Sequence, residues 1–169
     1  MRDLKEKGQI KNDYEKEVKG SMVPVVGYSG TPLGKKLGVK DGQLTWRSKM
    51  PASVAAEIAR YGATPKLVRT PVPGLDMAHL FVIEEQVLRE ELARLRGLIA
   101  QDGTVWVSWP KKTTRKDLPK VETNIVEHKV REAALSVGFV DVKICAIDEV
   151  WSGLKLVIRK VERARTKSP

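Results

Sequence analysis

Polar and cationic residues follow an apolar stretch of the chain, where Thr104–Lys112 reads TVWVSWPKK. This run predicts a buried strand that ends at Pro110 and opens directly into Lys111 and Lys112. In an open α/β sheet, ligands bind in the crevice outside the carboxyl ends of the strands. Ser108 and the two lysines offer hydrogen bonds and positive charge, so this strand end is a candidate site for an anionic ligand.

Two other segments carry polar groups at the predicted ends of elements. Asp148–Gly153 follows another apolar strand, and its carboxylates are expected to pair with Lys111 or Lys112, because the two strands are predicted to be parallel neighbours. Tyr28–Pro32 lies at the start of a short predicted helix, whose free N–H groups could hold an anion. Residues Tyr28–Thr31 are therefore a candidate lid or anion cap. The candidate ligand-binding residues are Tyr28, Ser29, Gly30, Thr31, Ser108, Trp109, Lys111, Lys112, Asp148, Glu149, Trp151 and Ser152.

Each of these places also has a purely structural interpretation. Thr31 can serve as a plain helix N-cap before Pro32. Trp106 and Trp109 are three residues apart and so lie on opposite faces of a strand, where both can simply pack. The 148–153 segment can be a turn held by ion pairs.

No residue pattern points to catalysis. The two histidines, His79 and His128, fall in a predicted buried strand and a helix, with no cluster at metal-ligand spacing. His79 is expected to be a core histidine with a hydrogen-bonded ring, and Cys145 a small core residue with nothing nearby to activate its thiol. No phosphate-binding loop, nucleophile elbow or zinc-protease motif is present. The sequence therefore favours binding over catalysis, without metal or cofactor.

The elements that position these residues follow from apolar spacing. Leu88, Leu92, Leu95 and Ile99 predict a helix from Glu85 to about Ala100. The other predicted helices are 32–37, 52–61 and 123–137, and the predicted strands are 43–47, 67–70, 77–83, the Trp106 strand, 139–147 and 154–161.

Helices that alternate with apolar strands predict an α/β fold, with a mostly parallel, Rossmann-like sheet flanked by helices. About six residues separate Ile147 from Leu154, too few for a crossover, so the last strand is expected to be antiparallel. This arrangement resembles the architecture of S-adenosylmethionine-dependent methyltransferases.

The residues that would bind that cofactor are missing. A glycine-rich loop should follow the first strand, and an acidic residue should follow the second. Instead the first loop is Arg47–Pro51, without glycine, and no carboxylate follows the second strand before Asp76. An atypical or degenerate methyltransferase stays as an alternative.

The formal net charge of +10 is concentrated in two segments. Residues 111–120 and 159–167 each carry five cations and one acid. Such patches suit phosphate-bearing partners, so nucleic-acid binding through the Lys111–Lys120 loop and the Arg159–Lys167 tail is a second alternative to a small anionic ligand. Two further alternatives are that the loop and tail are simply solvated, or that the protein is an interaction module of a larger assembly.

The 169 residues are expected to form one domain over 23–161, preceded by a disordered or loosely helical arm at 1–22 and followed by a basic tail at 162–169. No apolar run reaches the length of a membrane span, and a single cysteine excludes an internal disulfide. We therefore expect a cytoplasmic protein without membrane contact.

The chain also resembles a family of small bacterial proteins classed as a domain of unknown function. The resemblance covers about Val26 to Lys160 and is carried by GYSGTPLGKKLG at 27–38, HLFV at 79–82, DGTVWVSWPKK at 102–112 and VDVKICAIDEVWSGLKLVIRK at 140–160. It implies a compact α/β domain of bacterial origin, with no assigned activity or cofactor. Lys49-Met50-Pro51 departs from the turn that members often have after the first strand.

Overall fold

Six strands form one sheet in the computed structural model, which describes residues 30–166. In chain order the strands are β1 (Leu44–Ser48), β2 (Lys66–Val68), β3 (Leu75–Phe81), β4 (Ile99–Pro110), β5 (Phe139–Ala146) and β6 (Trp151–Ile158). The helices are α1 (Leu33–Leu37), α2 (Ala52–Ala59), α3 (Glu85–Arg96), α4 (Glu127–Ser136) and α5 (Lys160–Thr166).

The sheet order is β2-β1-β3-β4-β6-β5. Strands β2, β1, β3 and β4 are parallel to one another, and β6 is antiparallel to both of its neighbours. The prediction of a mostly parallel sheet with an antiparallel last strand is confirmed. The expectation that the 139–147 strand lies directly beside the Trp106 strand is wrong, because β6 lies between β4 and β5.

Two apolar cores lie on opposite faces of this sheet. On one side, here called the α2 face, α1 and α2 cover Met77, Phe81 and Trp106. On the other side, the α3 face, Leu88 and Leu92 of α3 pack with α4 over strand residues such as Leu80 and Val107. Helices on both faces are what a parallel sheet with crossover connections requires.

Helix α1 is short, and its position depends on two close contacts. The Trp106 indole Nε1 donates a hydrogen bond to the Leu37 carbonyl at 3.0 Å. Gly34 lies so close to α2 that a Cβ there would be 2.7 Å from the Cβ of Tyr61. Since no larger residue fits this approach without a shift, Gly34 lets α1 sit directly against α2.

Several element boundaries differ from the prediction for identifiable reasons. The helix that follows Glu84 ends at Arg96, and β4 begins at Ile99 rather than near Trp106. Residues 123–126 are not helical, because Thr123 Oγ1 donates to the Ile83 carbonyl and Asn124 Oδ1 accepts from the Glu85 N–H. These side chains hold the segment as a cap on α3.

The end of the predicted last strand and the described part of the predicted tail at 162–169 form α5 over Lys160–Thr166, and residues 167–169 lie outside the described residues. The backbone N–H of Arg159 donates to the Gly138 carbonyl at 2.9 Å, and Arg96 pairs with Glu162 at 3.6 Å. These contacts attach the start of α5 to the core. The predicted arm at 1–22 and residues 23–29 lie outside the described residues.

Strand β5 is the outermost described strand on its side of the sheet, and its pairing with β6 is irregular. The register shifts between Asp141 and Lys143, so Val142 is an extra residue without a partner across the ladder. Val142 and Ile144 are 52% and 47% exposed. A bulge of this kind bends and twists the strand that contains it.

Candidate functional site

The strand order reverses at β1, whose neighbours β2 and β3 lie on its two sides. After β1 the chain enters α2 on one face of the sheet, and after β3 it enters α3 on the other. The carboxyl ends of β1 and β3 therefore flank the crevice in which open α/β sheets bind ligands.

A buried polar pair lies next to this crevice, on the α2 face. His79 of β3 is 1% exposed, and its Nε2 is 2.8 Å from the hydroxyl of Ser108 on β4. The imidazole stacks on Phe81, with ring centroids 4.7 Å apart. Burial lowers the pKa of His79 to about 3, and the nearby Arg47 guanidinium adds to this effect. The expectation of a core histidine with a hydrogen-bonded ring is confirmed.

Arg47 is the penultimate residue of β1 and is the register partner of His79, so the two side chains leave the sheet on the same face. Its side chain is partly buried, and that burial lowers its pKa. No carboxylate within ion-pair distance and no hydrogen-bond acceptor contacts it among residues 30–166. A desolvated guanidinium without a counter-charge is unfavourable, which is the electrostatic condition that an anionic ligand would relieve.

Sequence reasoning missed Arg47 as a site residue. The two-residue alternation of a strand could have identified it, because Gln43–Arg47 places Arg47 on the same face as Thr45, which is fully buried. A cation on that face of a strand within a parallel sheet has few acids within reach.

The loops after β1 and β2 add positive charge at the same edge. Lys49 follows β1 in the left-handed backbone conformation, with φ of 56°, and it is exposed. Arg69 follows β2, and its carbonyl accepts a hydrogen bond from Trp46 Nε1 at 3.3 Å. Glu84 lies three residues after the end of β3 and is exposed. The edge thus has cations where S-adenosylmethionine binding would need glycines and an acid.

The residues predicted around Lys111 lie together at the end of β4. The Lys111 N–H donates to the Val150 carbonyl at 2.8 Å, which joins the basic loop to the 148–153 turn. Burial lowers the pKa of Lys111 despite the opposing effect of Asp148 and Glu149, and Lys36 lowers it further. Lys112 is exposed. A cleft of about 570 Å³ opens here between the basic loop and Glu149-Val150.

The predicted pairing of these lysines with the carboxylates does not occur as an ion pair in the described residues. Asp148 Oδ1 instead accepts the backbone N–H groups of Val150 and Trp151, both at 2.8 Å, and so fixes its own turn. Glu149 pairs with Arg115 at 3.6 Å. The ammonium groups of Lys111 and Lys112 therefore form no ion pair with Asp148 or Glu149.

The structure separates some of the predicted residues from this edge. Trp109 packs in the core of the α3 face, opposite to Ser108, and its register partner Ser152 lies on that face too. Trp151 lies on the α2 face and meets Phe81 edge-on at 5.0 Å between centroids.

The predicted anion cap at the N-terminal segment is only partly described. Tyr28 and Ser29 lie outside the described residues. Gly30 and Thr31 precede α1, but the N-cap is Pro32 rather than Thr31, and no side chain caps the helix. The N–H groups of Lys35 and Lys36 already donate to the Pro32 carbonyl, which leaves fewer of them for an anion.

Other reactive groups give no site in the part of the chain that the structure describes. No three His, Cys, Asp or Glu residues there are grouped so as to hold a metal ion. Burial raises the pKa of the Cys145 thiol, which disfavours the reactive thiolate. Within residues 30–166, no helix combines the length and apolar character of a membrane span.

No protein-family model matches the chain, and no curated protein matches it. Solved structures that share its fold include a SAM-dependent methyltransferase from Aquifex aeolicus, with a TM-score of 0.53, 13% identity and coverage of 85% of this chain and 97% of that one. For the mitomycin 7-O-methyltransferase MmcR the TM-score is 0.53 at 10% identity, and the match covers 76% of this chain.

At these identities the likeness concerns the fold, and it confirms the predicted methyltransferase-like, Rossmann-like sheet. The chain spans 53% of MmcR and 47% of LepI, a third similar structure, solved in complex with SAM. The matched part of the chain thus spans about half the length of these larger proteins.

Proposed function

We propose that the chain uses this methyltransferase-like fold to bind a small phosphate-bearing ligand at the carboxyl edge of the sheet, without catalysis. The observation that carries the proposal is Arg47, a partly buried cation at the strand-order reversal with no acidic partner among the described residues. Lys49 and Arg69 extend the same charge to the loops that follow β1 and β2.

The chemistry of the edge supports a phosphate more than S-adenosylmethionine. That cofactor carries a sulfonium cation, and its ribose needs an acidic partner after the second strand. Arg69 occupies that region here, and the first loop, Ser48–Pro51, has no glycine to bring backbone close to a ligand. A guanidinium, in contrast, matches the oxygens of a phosphate with two parallel hydrogen bonds.

The neighbouring aromatic side chains support a nucleotide-like ligand in particular. Phe81 and Trp151 meet on the α2 face beside His79, and Trp151 is only partly buried. An exposed indole offers a stacking surface for a base.

The test measures binding of ATP, AMP and inorganic pyrophosphate by thermal shift and calorimetry. A ligand at 100 times its Kd should stabilise the protein by about 2.7 kcal/mol. Arg47→Gln should weaken binding about tenfold or more, because it removes a charge-assisted contact of about 1.5–3 kcal/mol. Lys66→Gln is the matched control, since Lys66 is an exposed cation at the opposite end of β2.

The free proteins provide a further check. Arg47→Gln removes a partly buried charge that has no acidic partner among residues 30–166, so it should not lower the stability of the ligand-free chain. The proposal fails if no phosphate compound binds, or if Arg47→Gln binds as tightly as the wild type. If S-adenosylmethionine stabilises the protein and the phosphates do not, an atypical methyltransferase replaces it.

A further inference from the structure

A second group of cations lies on the α2 face, around α1 and the antiparallel strands. We call it the lysine face; its members are Lys36, Lys40, Lys111, Lys143 and Lys155. Lys143 Nζ donates to the Lys36 carbonyl at 3.3 Å. Lys143 and Lys155 are partners across β5 and β6, so their side chains leave the sheet on the same side.

The remaining members are connected to these three by shared surroundings. Lys40 and Lys155 line one hollow of about 390 Å³ beside the end of α1. Lys111 lies close enough to Lys36 for the charge of Lys36 to affect its pKa. The five lysines therefore form one continuous surface that extends over a helix, two strands and the end of β4.

None of the five lysines has a carboxylate within 4 Å in the described residues. Three carboxylates also line the hollow: Asp41, which accepts the Thr64 N–H, Asp76, which accepts the Leu44 N–H, and the exposed Asp102. At the β4 end, Asp148 is held by its own turn.

The opposite side of the molecule has the contrary arrangement. On α3 and α4, Glu85 pairs with Arg89 at 3.2 Å and with Lys129 at 3.3 Å, and Glu127 pairs with Arg131. Cations there are paired with acids, whereas the five lysines of the lysine face have no ion pair among residues 30–166. Unpaired cations on one side of a protein attract polyanions to that side.

We propose that the lysine face binds the phosphate backbone of a nucleic acid. Lysines spread over an open surface, rather than converging on one point, suit a ligand with repeated charges. Protein interfaces are depleted in lysine, which disfavours an acidic protein partner. Membrane binding combines cations with an exposed apolar face, and the exposed Ile144 lies on the opposite side, with its register partner Leu154.

This surface differs from the basic loop and tail that the sequence suggested. In the loop, Arg115 is paired with Asp117 and Glu149. At the start of the tail, Arg159 donates to the Leu135 carbonyl at 3.0 Å. Both of these arginines have structural partners, whereas Lys36 and Lys155 have no acidic partner among the described residues.

The test is fluorescence anisotropy with a labelled 20-base-pair DNA duplex and a labelled 20-nucleotide RNA, between 50 and 200 mM salt. The triple variant Lys36→Gln, Lys143→Gln, Lys155→Gln should reduce the slope of log affinity against log salt by about 2.7 on duplex DNA, at about 0.9 per phosphate contact. Its affinity should fall about tenfold or more at 50 mM salt.

Two other triple variants serve as controls. Lys116→Gln, Lys120→Gln, Lys160→Gln removes three exposed charges from the loop and α5 and should change affinity by less than about twofold. Exchange of the three lysines of the lysine face for arginine keeps the charge and should keep the binding.

The inference is wrong if neither nucleic acid binds at 50 mM salt, or if the loop variant loses as much affinity as the lysine-face variant. It is also wrong if vesicles containing phosphatidylserine bind through these lysines and the nucleic acids do not. Calorimetry with ATP on the same variants separates this inference from the proposed function, because the lysine-face charges can be removed while Arg47 is kept.

Discussion

Protonation of His79 is linked to the stability of the whole domain. The imidazole is 1% exposed, is hydrogen-bonded to Ser108 and lies near the Arg47 cation. Burial first, and the Arg47 cation second, favour the neutral imidazole, and they lower its pKa to about 3 from a usual value of 6.5. In the unfolded chain the same imidazole is solvated and takes up a proton near its usual pKa.

The sign of the effect follows from proton counts. Between pH 6.5 and about 3, the unfolded chain holds a proton that the folded protein does not, so acid stabilises the unfolded state. The contribution is fully present above pH 6.5 and is lost progressively as the pH falls. For these two pKa values, the free energy of unfolding should decrease by about 2 kcal/mol between pH 7 and pH 5 from His79 alone.

The assay is urea denaturation of the wild type and of His79→Gln at pH 7, 6 and 5. Glutamine can still hydrogen-bond with Ser108 but does not titrate. The variant is expected to be less stable at pH 7, and its deficit should shrink by about 2 kcal/mol on going to pH 5. Other titrating groups are common to both proteins and cancel in the difference. A deficit that stays constant over this range would refute the assignment of His79 as a neutral, buried base.

Two further substitutions test the packing around the same strands. Ser108→Ala leaves the ring of His79 without its buried partner and should cost about 1–3 kcal/mol of unfolding free energy; an unchanged urea midpoint would contradict this. Gly153→Ala places a Cβ 2.7 Å from Cδ1 of Ile147 and should lower stability by about 1–3 kcal/mol. Gly97→Ala is its control, since the nearest atom is 3.8 Å away, and should be neutral or stabilising by up to about 1 kcal/mol. Equal melting temperatures for the two glycine variants would count against the close approach of β6 to its neighbours.

Much of the fold could be predicted because burial leaves a local trace in the sequence. The spacing of Leu88, Leu92 and Leu95 specified the buried side of α3, and the apolar run around Leu80 specified a strand covered on both faces. The place of β6 could not be predicted in this way. A short connection determines that two strands are antiparallel, but not on which side of the first strand the second one lies.

The candidate site shows the same limit. The end of β4 was predicted to be polar, and Ser108 and Lys111 do lie at that edge. Arg47 was missed because its importance depends on having no acidic partner among the residues that the structure describes, and that is a property of the three-dimensional arrangement. The expected ion pairs of the lysines do not form for a related reason. Asp148 accepts hydrogen bonds from the backbone N–H groups of its own turn instead.

The bulge at Val142 has a consequence for how copies of this protein behave at high concentration. Among residues 30–166, β5 is the outer strand of the sheet, and an outer strand with exposed Val142 and Ile144 is a template for pairing with another chain. The extra residue breaks the regular spacing of the outward N–H and C=O groups, and the charged Asp141 and Lys143 flank the break. The irregular edge therefore opposes strand-to-strand polymerisation, which a straight strand of the same composition would promote.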